Sequence, residues 1–106
     1  MKSAWEALYA DDAEVVLNGH DHDYERFAPQ SPSGAADAGR GIRQFVVGTG
    51  GGELRPFLTT IEANSEVRNA DTLGVLKLTL HPNSYEWKFV PVAGESFTDS
   101  GTSDCH

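Results

Sequence analysis

EVVLNGHDHDYERF, residues Glu14 to Phe27, is a short apolar run that stops at Asn18-Gly19 and is followed at once by two histidines, His20 and His22, with only Asp21 between them. Val15 to Leu17 has the β-branched content of a strand interior, so a buried strand is expected over Glu14 to Leu17. Asn18-Gly19 supplies turn chemistry that lets such a strand end abruptly. In open α/β sheets, ligands gather at the carboxyl edge where it ends. Side chains two residues apart in extended backbone point to the same side, so both imidazoles are expected to face one place and Asp21 to face away. Neutral imidazole is a common metal ligand, and carboxylates often complete its shell. His20 and His22 are therefore the candidate metal ligands, although a bare His-x-His also suits an exposed loop that follows a strand.

The residues flanking the pair narrow the choice. GHDHDYER, residues 19–26, resembles the last metal-binding motif of the calcineurin-like metallophosphoesterases, and is closest to the purple acid phosphatase branch. That pattern, Gly-His-x-His-x-Tyr-Glu-Arg, is filled at its six specified positions by Gly19, His20, His22, Tyr24, Glu25 and Arg26. The resemblance implies a hydrolase of phosphoric esters with a binuclear centre of divalent or trivalent metal ions, of Fe, Zn or Mn type, in which His20 binds one metal and His22 the other. It implies a four-layer α/β/β/α sandwich and an extracytoplasmic parent protein. Asp21 and Asp23 are candidates to support the ligands, because a ligating histidine usually donates its other N–H to a carboxylate or carbonyl. Tyr24 joins them, and Tyr24 to Arg26 are expected to anchor the motif rather than react. Glu25 and Arg26 equally suit a solvated pair. No residue here is singled out as catalytic. The family's earlier motifs, an Asp-x-His, a Gly-Asp-x-x-x-Asp, a Gly-Asn-His and one further His, lie upstream of this one and have no match in the 106 residues. The chain thus resembles the carboxyl-terminal part of such an enzyme.

Length and charge set the outer bounds. A chain of 106 residues with 39% hydrophobic content suits one domain over residues 1–106 with a modest core. Folding at this size removes roughly two thirds of the unfolded surface from water. Sixteen acidic residues against eight basic ones give a net charge of −8, which argues against nucleic acid or an anionic membrane as partner. A phosphoester substrate fits only where bound cations reverse the local field. No apolar run reaches the ~18 residues of a spanning helix, and the amino terminus has no basic-then-apolar export segment. Cys105 is the only cysteine, which excludes an internal disulfide and suggests an unpaired thiol in a loose tail.

Elsewhere the pattern is plainer. Ser3 can cap a short helix whose Trp5, Leu8 and Tyr9 share a face, ending near Asp11-Asp12 and turned toward a sheet. Residues 28–41, rich in Pro, Ser, Gly and Ala, read as a surface loop, either a lid over the metal site or an ordinary connection. Ile42 to Val47 reads as a strand running into Gly48-Thr49-Gly50-Gly51-Gly52. The lysine and hydroxyl residue of a phosphate-binding loop are absent there, so close backbone packing is the better reason for the glycines. Leu54 to Ala70 reads mostly as loop. Leu76, Leu78 and Leu80 then share one face of a strand, His81 to Ser84 form a solvated turn, and Tyr85, Trp87 and Phe89 share one face of the return strand. The spacing of residues 74–94 with Phe97-Thr98-Asp99 also resembles the terminal strands of the same phosphatases.

The expected fold is α+β and mainly β, with about five strands and one short amino-terminal helix, as part of the implied sandwich. Two histidines are too few for a metal site. A catalytically inactive fragment, or a β-rich module that binds a partner or itself through open sheet edges, therefore stands beside the hydrolase reading.

Overall fold

The computed structural model describes residues 2–57 and 61–106, in which one helix precedes seven strands. The helix α1, Lys2–Ala10, ends in a hydrogen-bonded stop: Asp12, at φ 59°, donates to the Tyr9 carbonyl and Ala13 to the Leu8 carbonyl. Those crossed bonds with a left-handed residue satisfy carbonyls that the last turn would otherwise leave bare. Ser3 lies inside the first turn rather than before it. No residue of α1 is buried, so the expected apolar stripe against a sheet is absent. The helix is instead held by residues 37–40. Tyr9 Oη donates to Asp37 Oδ2 (2.7 Å), and the Arg40 guanidinium lies 4.5 Å from the Tyr9 ring centre.

The strands are β1 (Val15–Asn18), β2 (Tyr24–Phe27), β3 (Arg43–Val47), β4 (Ser65–Asn69), β5 (Gly74–Leu80), β6 (Ser84–Pro91) and β7 (Ser100–Asp104). They form two open sheets, β1-β3-β2-β4 and β5-β6-β7. β1 pairs parallel to β3, and every other pairing is antiparallel. The expected strands at 14–17 and 42–47 and the hairpin of 74–91 are present. β1 is a half-exposed edge strand rather than a buried one, with Leu17 56% exposed. β2 and β7 were not expected. β4 lies in the stretch read as loop, where a single Val67 among polar residues gives no period to detect. Leu58, Thr59 and Thr60 of that stretch lie outside the described residues. Leu80 does not share the partial burial of Leu76 and Leu78: it lies outside the core cluster and is 73% exposed.

Alternation along each strand builds the interior. Tyr85, Trp87 and Phe89 of β6 face Tyr24 and Phe45 of the other sheet, with Val15, Val47, Val67, Leu76, Leu78 and Phe97 packed around them. The rings meet tilted or edge-on, as the ring quadrupoles favour: Tyr24 with Phe89 at 4.8 Å and Phe45 with Trp87 at 5.7 Å. Asp99, just before β7, ties the two sheets. Tyr24 Oη donates to its Oδ2 (2.6 Å), and Arg26 donates to both carboxylate oxygens through Nε (2.7 Å) and Nη2 (3.2 Å). Arg43 donates to Glu66 and to the Phe27 carbonyl, and the guanidinium groups of Arg26 and Arg43 both stack on the Trp87 ring. The tail is not loose, since Cys105 N–H donates to the Asn83 carbonyl and His106 N–H to Glu14 Oε1, both at 2.8 Å. The Cys105 thiol is exposed and unpaired.

Candidate functional site

Strand order dictates where the histidines go. β1 and β2 lie on opposite sides of β3, so the five residues that join them, Gly19 to Asp23, must cross over the carboxyl end of β3. The chain leaves β3 at that same place through the glycine run. A Cβ at Gly48 would sit 1.8 Å from the Asp21 carbonyl oxygen, and one at Gly52 would sit 2.9 Å from His22 Cε1. Gly48 N–H donates to the Asp23 carbonyl and Arg55 N–H to the His22 carbonyl, both at 3.0 Å. Gly48 and Gly52 are therefore there for close approach, and the surface they approach is the histidine segment, whereas a Cβ at Gly50 or Gly51 would meet nothing.

The segment is bent, which corrects the expectation of extended backbone. Asp21 N–H donates to the Gly19 carbonyl and Asp23 N–H to the Asp21 carbonyl, each at 2.9 Å, so two three-residue turns follow one another with a histidine at the centre of each. His20 takes φ 75°, a left-handed conformation that costs a non-glycine residue on the order of 1–3 kcal/mol. The same-side argument from period two does not apply to such a backbone. His20 and His22 nonetheless line one cleft of about 580 Å³, and Asp21 lines it with them instead of facing away.

His22 Nδ1 lies 2.5 Å from the Glu53 carbonyl oxygen. A carbonyl can only accept, so Nδ1 carries a proton, and in the neutral imidazole this leaves the Nε2 lone pair for a metal. The group that supports His22 is thus a backbone carbonyl beyond the glycine run, not Asp21 or Asp23. Asp23 is buried, and its carboxyl is pushed up to about 6 by burial first and then by the Asp21 and Glu25 carboxylates, with His22 acting in the other direction. Tyr24 points into the core, where burial first and then its bond to Asp99 raise its phenol above the usual range. It anchors the motif, as does Arg26. Glu25 is buried and accepts from Ser65 Oγ, which removes the solvated-pair reading. His81 is exposed and pairs with Glu86. Residues 28–41 line none of this cleft.

Three participants were missed by sequence reading. Glu53 acts through its carbonyl, for which no side-chain signal exists. Arg55 and Arg68 both line the cleft, Arg55 just past the glycines and Arg68 from the unexpected β4. Among the described residues no three histidine, cysteine or acidic side chains converge as a metal-holding group. The donor set therefore fits part of a metal centre and not a whole one. The chain matches no family model, no curated protein and no solved structure.

Proposed function

We propose that this chain supplies the last histidine pair of a metal-dependent phosphoesterase centre, within the four-layer sandwich of the calcineurin-like metallophosphoesterases. The observation that carries this reading is the position and state of the pair. Both histidines lie in one cleft at the carboxyl ends of two parallel strands, and His22 is held with Nε2 ready to ligate. With His20 and His22 among its ligands, a two-metal centre would, when bound, supply Lewis-acid polarisation of phosphoryl oxygens and activation of water. This chain's own contribution is to orient His22 through Glu53, to fix His20 in its strained turn, and to lock the motif to the second sheet through Tyr24, Arg26 and Asp99. Zinc titrated into the chain should shift the ring signals of His20 and His22 in NMR spectra, and His22→Ala should weaken that binding. The chain alone should show no turnover of a phosphomonoester, since two imidazoles cannot hold two metals. Steady turnover lost on adding chelator, or histidine signals unmoved by zinc, counts against the reading.

A second reading, association through an open face, is favoured by a groove beside β1 lined by Leu17, Val47, Val75, Leu76 and Leu78. Leu17 and Val75 there are 56% and 58% exposed, and β1 is an edge strand with no strand paired to its outer side among the described residues. The net charge of −8 opposes association, but salt screens it over ~8 Å. Sedimentation across concentrations should show self-association that Leu17→Lys weakens. A monomer at all concentrations excludes it.

A further inference from the structure

The chain has five arginines, Arg26, Arg40, Arg43, Arg55 and Arg68. Three are paired to carboxylates: Arg26 with Asp99 and Glu66, Arg43 with Glu66, and Arg40 with Asp12. Arg55 and Arg68 have no carboxylate within ion-pair distance among the described residues, and these two are the arginines of the histidine cleft. In a chain with twice as many acids as bases, and with Asp21, Asp23, Glu25 and Glu62 in the same cleft, the unpaired state is not for want of partners.

Arg68 shows how it is maintained. It lies directly opposite Glu25 in the β2–β4 register, so both side chains leave the sheet on the same face, the usual setting for a cross-strand ion pair. Glu25 accepts from Ser65 Oγ instead, and the Arg68 guanidinium is drawn over the Phe57 ring, 5.0 Å from its centre. Stacking holds the plane of a guanidinium while leaving its N–H donors free at the edge. Arg55 enters the cleft two residues after the Glu53 carbonyl that fixes His22, so the turn that orients the candidate ligand also delivers a cation beside it.

We propose that Arg55 and Arg68 are the anion-recognising groups of this cleft, and that they grip the phosphoryl group of a phosphomonoester with forked N–H donors beside the metal that His20 and His22 would help to hold. This rests on the metal-dependent reading above. Planar guanidinium groups match phosphate oxygens two at a time, which a point charge on lysine does not.

Inorganic phosphate is the probe, titrated into the 106-residue chain with and without zinc and followed by amide NMR. The expected result is a shift of the Arg55 and Arg68 signals. Arg55→Gln and Arg68→Gln should each weaken phosphate binding about tenfold, in line with the loss of a charge-assisted hydrogen bond. Arg68→Lys should recover only part of it, and Arg40→Gln should change nothing. Preserved dispersion of the spectra confirms that each variant is folded. Equal phosphate affinity in the wild-type chain and both glutamine variants overturns the proposal, as does phosphate that shifts only Lys77 and Lys88 on the far sheet. Zinc keeps the two readings apart. Phosphate binding that needs the arginines while His20 and His22 ignore zinc leaves this inference standing without the metal centre. Phosphate binding that needs zinc and not the arginines does the reverse.

Discussion

The seam between the two sheets and the histidine cleft lie on opposite faces of β2, with Tyr24 and Arg26 turned to the seam and Glu25 to the cleft, and they treat charged groups in opposite ways. At the seam, Asp99 meets Tyr24 and Arg26 with near-ideal geometry, and among the described residues Trp87 Nε1 is the one buried side-chain polar atom without a partner. In the cleft, Arg55 and Arg68 lack carboxylate partners among the described residues, His20 sits at φ 75°, and Asp23 is buried among like charges. The guanidinium groups of the seam, Arg26 and Arg43, are paired to carboxylates, whereas among the described residues those of the cleft are not. Local conflicts of this kind cluster where a ligand supplies what is missing. Stability should accordingly reside in the seam and binding in the cleft, with little overlap.

The largest effect should come from the seam's hydrophobic side. Phe45 is fully buried, and Phe45→Ala should lower unfolding free energy by ~3–5 kcal/mol, measured by urea denaturation. Next is Asp99→Asn, which leaves Arg26 short of a charge in a nearly buried site and should cost about 3 kcal/mol. If either change costs less than ~1 kcal/mol, the seam is not where the fold is held.

The same carboxylate gives a pH signature. Burial pushes the Asp99 carboxyl up, but its bonds from Arg26 and Tyr24 outweigh that and hold it below the ordinary aspartate range. A depressed folded-state value gives stability that is present above about pH 4 and lost as pH falls further. Tyr24 acts in the opposite direction: its raised phenol keeps the proton in the folded chain, so stability should fall as pH climbs past about 10. Thermal melts across pH should show both limbs, and Asp99→Asn should flatten the acid one. An unchanged acid limb in that variant places the titrating group elsewhere.

The smallest stability effects belong to the cleft. His20→Gly relieves a left-handed histidine and should leave stability unchanged or raise it by up to ~1 kcal/mol. Zinc binding, measured by calorimetry, should weaken all the same. A variant that loses stability while keeping its metal affinity would reverse the roles assigned to the two regions.

Patterns that depend on period were legible in the sequence. The β5–β6 hairpin showed because Tyr85, Trp87 and Phe89 alternate strictly with exposed residues, and β3 because an apolar run ends at glycines. Patterns that depend on partners were hidden. β4 is polar and owes its place to pairing with β2, and β7 is a run of Ser, Gly, Thr and Asp in which Thr102 alone favours a strand. Of the candidate site, His20 and His22 could be picked out by type and spacing. Their bent backbone could not, because it follows from the chain crossing over β3, and neither could Glu53, which contributes only main chain.

The order of strands within the two sheets also bears on how the chain assembles in time. In β5-β6-β7 every neighbour in space is the next strand in sequence, joined by short connections. In β1-β3-β2-β4 no strand lies beside its successor except β2 and β3, and the β1–β3 pair is parallel, so it needs a crossover before a single bond can form. Pairings between distant segments are slow because loop entropy is lost before contacts return anything. The β5–β7 meander is therefore the natural nucleus, and the histidine segment, stretched over a strand that must already be in place, takes its bent form among the last events of folding.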